Sequence, residues 1–290
     1  MHDEPRWILA LVLSAEAAEQ RRADRAAATA ARHEASTSLM SALSDHHASM
    51  TRIHRRSEAR HRATAEIFRN YAIRLVEAEH RSGTDIAGSL MAAVATVVGA
   101  RRAAVSFAND VRDLGVLASD EVARAAQEWE FVLGEGPAHD NAVGGPLLVG
   151  AGALPRRWPQ YASAVSQLGI ESVGAVALRR REARLGSLVV FDVFEPHDVR
   201  LTRLGQVADA LLHVLVTDPR QGAAHDIAMT ITDHVDHRGV VHRAAGMLSE
   251  QLACSVSDAL AVLRARAFVE NVDPMELATR VLAGDVSMYD

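Results

Sequence analysis

Two residues near the C-terminus, Arg264 and Phe268, have the types and the spacing to bind unpaired bases. They are four residues apart, so on a helix they lie on one side. An arginine beside an aromatic ring suits stacking on bases that are splayed out of an RNA loop. Arg243 and Arg266 could cluster with Arg264 where two helices meet. The alternative is that Phe268 belongs to a hydrophobic core and that Arg264 is a solvated charge.

A second candidate site is the loop Gly134-Glu135-Gly136, followed by His139. The backbone amides of Gly134 and Gly136 could cradle an anion. The alternative is that the two glycines only turn the chain tightly. His139 could bind a haem or a metal ion, but a lone histidine in a loop is more often a turn or surface residue.

The motifs of several enzyme classes are missing from the sequence. The loop that ends at Gly136 is not followed by the third glycine and the helix start of a dinucleotide fingerprint. All 31 basic residues are arginine, so there is neither a catalytic lysine nor a Gly-Lys phosphate-binding loop. His46 and His47 diverge on a helix, and no carboxylate or cysteine completes a site with them. We therefore expect no enzyme, no metal site and no cofactor.

Composition limits the remaining possibilities. A chain of 290 residues is expected to form about two domains, and a hydrophobic content of 49% is enough for their cores. The formal charge of −6 argues against a general nucleic-acid coat protein. Cys254 is the sole cysteine, which excludes an internal disulfide. With no export signal and no apolar run of membrane length, we expect a cytoplasmic protein without a membrane partner.

Residues 1–82 are typical of a long helical arm. Pro5 is the only proline before Pro137, and no glycine precedes Gly83. An apolar stripe of period near 3.5 is interrupted in its middle by polar residues; its members are Leu39, Leu43, Met50, Ile53, Phe68, Tyr71 and Leu75, and the interruptions are Ser57, His61 and Thr64. So thin a stripe predicts an imperfect coiled coil that pairs with a second copy, hence a homodimer. Within the arm, Arg52 to Arg62 is the strongest basic patch, either a contact for an anionic partner or a solvated helix face.

The middle third alternates strand-like runs with helical patterns. Buried or half-buried strands are predicted at Arg101–Ala108, Leu114–Ala118, Pro146–Val149, Val173–Leu178 and Leu185–Phe194. Helices are predicted at Thr84–Val98, Asp120–Glu130 and Asp198–Val216. These patterns predict an α+β domain, in which helices enclose a mostly antiparallel sheet.

The last seventy residues predict three short helices that must pack on one another. A first helical stripe runs from Ile227 past His234 to Leu252, broken only by Arg238. A second helix should begin near Ser255, which has capping-box spacing to Asp258. The third should have Asp273 as cap, Pro274 at its first position and Gly284 at its end. From residue 223 onward five arginines face ten acidic residues, so any affinity for phosphates must come from a few placed arginines.

These helices carry three linked motifs: Ala244-x-Gly246-x-Leu248, Ala259-Leu260-x-x-Leu263-Arg264 and Leu277-Ala278-x-x-Val281. Their order and spacing resemble the ANTAR domain, a helical module that binds hairpins in nascent RNA. The resemblance covers roughly residues 226–286. It implies that Arg243, Ala244, Gly246, Arg264, Arg266 and Phe268 form the RNA-binding residues.

Residues 83–217 resemble a GAF domain, in particular that of GAF–ANTAR regulators. The matching pieces are Leu133-Gly134-Glu135-Gly136-Pro137, His139-Asp140, Gly145-Pro146, Arg157-Trp158-Pro159, Gly169-Ile170-Glu171-Ser172-Val173 and Leu185-Gly186-Ser187-Leu188. The resemblance implies a sensor domain that could hold a small molecule, with Gly134, Glu135, Gly136 and His139 as candidate ligand-binding residues.

The sequence thus predicts an arm (1–82), a GAF-like domain (83–217), a linker (218–225) and an ANTAR-like domain (226–290). The resemblances imply a signal-responsive regulator that binds dual-hairpin leader RNA and promotes transcription antitermination. The alternative is a GAF-based dimeric signalling protein whose C-terminal helices bind protein or DNA.

Overall fold

The computed structural model describes residues 4–39, 44–79, 85–108, 113–140, 145–181, 183–194, 197–216, 222–232, 239–270 and 272–285. The helices are α1 (Glu4–Leu39), α2 (Ser44–Glu79), α3 (Ile86–Val98), α4 (Glu121–Leu133), α5 (Pro137–Asp140), α6 (Leu154–Arg157), α7 (Pro159–Gln167), α8 (His197–Leu215), α9 (Ala223–Thr232), α10 (Gly239–Leu252), α11 (Val256–Glu270) and α12 (Pro274–Ala283). The strands are β1 (Ala100–Ala108), β2 (Asp113–Ala118), β3 (Leu147–Gly150), β4 (Ser172–Arg180) and β5 (Ala183–Val193). The chain divides into two compact units, Met1–Arg101 with Phe194–His234, and Arg102–Val193 with Val235–Asp290.

In the first unit, the predicted long helix is two helices that pack as an antiparallel hairpin. Ion pairs join Glu16 to Arg69 at 3.0 Å and Glu34 to Arg55 at 2.9 Å. The start of α1 therefore lies beside the later part of α2, and the end of α1 beside its earlier part, which is an antiparallel arrangement. A single long helix was therefore a wrong prediction, because the apolar stripe of α2 is covered within the same chain by α1, α3 and α8. Helices α3 and α8, which we assigned to the GAF-like domain, group with the arm in this unit. Pairing with a second copy stays a prediction.

Two of the three polar interruptions of the α2 stripe, His61 and Thr64, have hydrogen-bond partners in this hairpin. Thr64 is buried and donates its hydroxyl hydrogen to the carbonyl oxygen of Arg60 at 2.9 Å. His61 contacts Glu19 of α1. In the basic patch, Arg55 and Arg62 both pair with Glu58, and Arg56 pairs with Asp209 of α8. These contacts explain much of the patch as ion pairing within the fold.

Helix α9 also belongs to the first unit. Ile227 and Ile231, which we placed at the start of the ANTAR-like stripe, are fully buried on a helix that packs on α1 and α8. The prediction of one continuous stripe from Ile227 to Leu252 is therefore wrong at its start, because Ile227 and Ile231 pack in the first unit. Residues 233–238, including His234 and Arg238, and positions 218–221 of the predicted linker lie outside the described residues.

The second unit contains a five-stranded antiparallel sheet in the order β2-β1-β5-β4-β3. All five predicted strands are present, and the β4–β5 hairpin turns at Arg181, whose φ is 56°. The prediction of a mixed helix-and-sheet fold is confirmed. The core of this unit lies between the sheet and α4 to α7, and its largest side chains are Trp158, Tyr161 and Phe191.

Three helices, α10, α11 and α12, share a compact core formed by Val241, Ala244, Leu248, Ala259, Leu263, Ala267, Leu277, Ala278 and Val281. The predicted caps are confirmed. The Ser255 hydroxyl accepts the Asp258 amide hydrogen at 3.1 Å, and Asp273 accepts that of Met275 at 2.6 Å. Gly284 ends α12 with φ of 80°. Among the described residues, no helix is both long and apolar enough to cross a membrane.

Candidate nucleic-acid interface

Arg264 and Phe268 lie side by side on α11, as their spacing predicts. The helix buries Leu263 and Ala267 in the three-helix core, which leaves the neighbouring side for Arg264 and Phe268. Phe268 is 50% exposed, so it is not a core residue. Its ring and the guanidinium of Arg264 therefore form a single surface with both a charge and an aromatic face.

That surface packs against α4 of the same unit. The Arg264 guanidinium carbon lies 4.0 Å from the centroid of the Phe131 ring. The rings of Phe268 and Trp129 meet edge to face, with centroids 5.8 Å apart and planes at 78°. Phe131 is almost fully buried and joins the core of α10 to α12. Helix α4 thus holds the two side chains with the kinds of contact that a nucleic-acid base would make.

Two members of the predicted arginine cluster, Arg264 and Arg266, have different partners and lie on different sides of α11. Arg266 is two positions from Arg264, which puts it on another side of α11, and it pairs with Glu270 at 2.6 Å. Arg280 of α12 contacts the same carboxylate at 3.5 Å. The hydrogen bond from Arg266 holds the pKa of Glu270 below its ordinary value. Arg243 is exposed on α10.

The motif residues Ala244 and Gly246 have different positions on α10. Ala244 is fully buried in the three-helix core, so its side chain does not face solvent in this structure, and its contact with RNA stays a prediction. Gly246 is half-buried, and a Cβ added there would meet nothing within 4 Å. The resemblance at Ala244 therefore reflects packing of the helices.

The two strongest GAF-like motifs are joined by hydrogen bonds. A Glu135 carboxylate oxygen accepts the amide hydrogens of Gln160 and Tyr161 at 2.6 and 2.8 Å, at the start of α7. A carboxylate there satisfies amides that have no partner inside the helix. The buried Trp158 donates its indole hydrogen to Asp140 at 2.9 Å. The Gly134-Glu135-Gly136 loop and the Trp158-Pro159 segment therefore hold the start of α7 against residues 135–140.

The remaining candidate ligand-binding residues have roles in the turn. Gly134 ends α4 with φ of 67°, and its amide donates to the Glu130 carbonyl oxygen at 3.0 Å. Gly136 has φ of 155°, and a Cβ there would lie 2.6 Å from the Glu130 side chain. The Glu130 carboxylate accepts the His139 amide hydrogen at 2.8 Å, while the His139 side chain is exposed. These contacts favour the interpretation of a tight turn over that of an anion cradle.

Comparison with known families assigns the C-terminal part of the chain. Residues 230–282 match the ANTAR domain. The resemblance predicted from Ala244, Gly246, Leu248 and the two later motifs is thereby confirmed, and at the level of the family it implies RNA binding and antitermination. The match spans α10, α11 and most of α12, together with the end of α9. No family match supports the GAF resemblance, and no curated protein matches the chain.

Sequence reasoning missed the α4 residues Trp129 and Phe131 and the helix α7. Trp129 and Phe131 show no local signal of a role, because their partners are more than 130 positions further along the chain. Helix α7 lacks a capping side chain at Trp158. Pro159 at its first position was the available signal, and the cap itself comes from Glu135, 25 residues earlier.

Proposed function

We propose that this protein regulates transcription by binding hairpins in nascent RNA through α10 to α12, and that it promotes antitermination in response to a signal. The observation that carries the proposal is the ANTAR match, together with Arg264 and the half-exposed Phe268 on one side of α11. A guanidinium and a half-exposed ring can stack on bases that a hairpin loop presents.

The net acidic character of the module is compatible with this function. Asp258 and Asp273 are engaged in helix caps, and Glu270 is held between Arg266 and Arg280. Their charge is thus partly offset by contacts within the fold. Affinity then depends on a few arginines, which predicts a shallow salt dependence compared with a basic nucleic-acid-binding protein.

The contact with α4 supports regulation of the same surface. Arg264 and Phe268 are occupied by Phe131 and Trp129, so bases compete with these two rings. A signal that moves α4 away from α11 raises the fraction of molecules that can bind RNA. In the proposed mechanism the middle domain is a GAF-type sensor, which responds to a small molecule or to a change in dimer geometry. The helical arm pairs two copies of the chain, so that two ANTAR domains bind the two RNA hairpins.

Binding to a dual-hairpin leader RNA tests the proposal. Fluorescence anisotropy should show salt-sensitive binding by the wild type, weakened at least several-fold in Arg264→Ala and in Arg243→Ala. Arg180→Ala, at the exposed end of β4, is the matched control and should bind as the wild type does. The RNA hypothesis fails when the wild type shows no salt-sensitive binding in any oligomeric state.

A second function is favoured by the apolar residues around Phe268. Val262 and Val269 are exposed on α11, Val269 by 82%. Exposed apolar side chains beside an aromatic residue are typical of protein interfaces. In this alternative the C-terminal helices bind a protein or DNA, and the middle domain and the arm serve as a dimeric core. The RNA titration described above would then show no binding.

A further inference from the structure

Three side chains with metal-ligating atoms converge inside the first unit, each from a different helix. They are Glu19 of α1, His61 of α2 and His213 of α8, and their ligating atoms all lie within 4.8 Å of one another. His61 Nδ1 is 2.5 Å from one Glu19 carboxylate oxygen, and His213 Nε2 is 3.6 Å from the other. The imidazole rings are 5.4 Å apart and nearly perpendicular.

Glu19, His61 and His213 lie at a position in the first unit where apolar side chains could fill the same space between the helices. The Glu19 carboxylate is 1% exposed, and its neighbours on the buried face of α1, Val12 and Ala23, are apolar. A buried ionic group is seldom more stabilising than apolar residues of similar size. The side chains of His61 and His213 are 12% and 19% exposed, so solvent reaches the group from their side. Burial of the carboxylate with access through the imidazoles is the arrangement that a bound ion needs.

We propose that Glu19, His61 and His213 bind a divalent transition-metal ion of the Zn²⁺ class. Two imidazole nitrogens and one carboxylate are a set of three protein ligands that leaves a further position for water. Imidazole nitrogen suits Zn²⁺ and its first-row neighbours, whereas Mg²⁺ and Ca²⁺ prefer oxygen ligands.

The distances are compatible with such an ion. Metal–ligand bonds of about 2.0–2.2 Å put neighbouring ligand atoms roughly 3 to 3.6 Å apart. The separation of His213 from Glu19 is already within that range. The separation of His61 from Glu19 has to widen by about 0.5–1 Å, which follows when the ion replaces the proton between them. Arg22 contacts the Glu19 carboxylate oxygen that faces His213, and because its side chain is partly exposed it can turn to solvent when the ion binds that oxygen.

The bound ion would join α1, α2 and α8, three helices that are far apart in the sequence. It would stabilise the first unit against unfolding, because the unfolded chain does not bring the three ligands together. This consequence concerns the first unit alone and does not depend on RNA binding.

A second histidine group lies on the same hairpin and has to be separated from the first. His33 Nδ1 is 3.1 Å from His47 Nδ1, and the rings of His33 and His54 are stacked. These three side chains are half-buried and contact one another, so they form a histidine group of their own. His47, His54 and His61 are seven residues apart on α2, which puts them on one side of the helix. The double variant His33→Gln/His47→Gln is therefore the matched control.

The test uses the full chain after removal of metal with a chelator, and ZnCl₂ as the probe. Equilibrium dialysis with metal analysis should find one tightly bound ion per chain, lost in His61→Gln and in His213→Gln and retained in the His33→Gln/His47→Gln control. Glutamine can keep a hydrogen bond to Glu19 but is a poor ligand for Zn²⁺. At a free Zn²⁺ concentration one hundredfold above Kd, the unfolding equilibrium of the wild type should shift about a hundredfold, and that of His213→Gln should not.

Co²⁺ in place of Zn²⁺ gives a readout that needs no variant, since its visible absorption reports imidazole coordination at a low coordination number. The proposal is overturned when the wild type binds no Zn²⁺ and shows no Co²⁺ spectrum. It is equally overturned when His213→Gln, folded by circular dichroism, binds Zn²⁺ as the wild type does, or when the His33→Gln/His47→Gln control loses the ion.

Discussion

Removing the aromatic contacts of α4 should strengthen RNA binding. The perturbation is the double variant Trp129→Leu/Phe131→Leu, which keeps apolar side chains of similar placement but removes both rings that contact α11. Both changes shorten the side chain, so the buried Phe131 position loses packing as well as its ring, and urea unfolding of each variant measures that cost separately. The Arg264 and Phe268 side chains are left intact for RNA.

The magnitude follows from the two contacts. The Arg264–Phe131 cation–π contact, at 4.0 Å, is worth about 0.5–2 kcal/mol. The edge-to-face pair of Phe268 and Trp129 contributes about 0.5–1.5 kcal/mol. Their sum is about 1–3.5 kcal/mol, which corresponds to about a fivefold to a few hundredfold shift. Each single variant should produce part of this increase in RNA affinity. The increase reaches a limit once most molecules have α11 released from α4.

The assay is anisotropy of a labelled dual-hairpin RNA, titrated with wild type, each single variant and the double variant at two salt concentrations. Phe194→Leu is the control, because it removes an exposed ring in the first unit. Tighter binding by the single and double variants, but not by Phe194→Leu, supports competition between α4 and RNA. Unchanged or weaker binding, with the fold intact by circular dichroism, refutes the argument that α4 occupies the RNA-binding side of α11.

Three further predictions concern stability. Gly136→Ala should destabilise the second unit by about 1–3 kcal/mol, because φ of Gly136 is 155° and the new Cβ would lie 2.6 Å from the Glu130 side chain. Gly134→Ala, which has open space around it, should cost about 1–2 kcal/mol. Urea unfolding measures both costs, and a larger cost for Gly134→Ala than for Gly136→Ala would contradict this geometry. Glu135→Ala should cost about 0.5–2 kcal/mol by removing the cap of α7, whereas a hydrogen-exchange profile with α7 unchanged would show that the cap is dispensable. Burial raises the pKa of Glu19, but hydrogen bonds from His213 and His61 outweigh it and hold that pKa far below the ordinary 4.5. A depressed carboxyl pKa contributes stability that is present above pH 4.5 and lost as the pH falls below it, so thermal unfolding should show a steeper acid dependence for the wild type than for Glu19→Gln.

Features that depend on neighbours in the chain could be predicted from the sequence. The caps at Ser255 and Asp273 and the end of α12 at Gly284 follow from hydrogen bonds that span two or three residues. The five strands follow from short apolar runs between turn residues, and the ANTAR motifs follow from spacings along helices. In all these cases the partners lie within a few positions of each other, so the pattern is visible in a short window.

Features that depend on distant partners were decided by the tertiary structure. The arm is a hairpin because α1 and α2 pack on each other, and the polar residue His61 in the α2 stripe has its partner, Glu19, 42 residues earlier. Helix α7 is capped by Glu135 from another loop. The sequence by itself determined that Arg264 and Phe268 share one side of a helix, because helical geometry requires it. Only the tertiary structure decided that α4 covers that side, since contacts between Trp129, Phe131 and α11 exist only after distant segments have packed together.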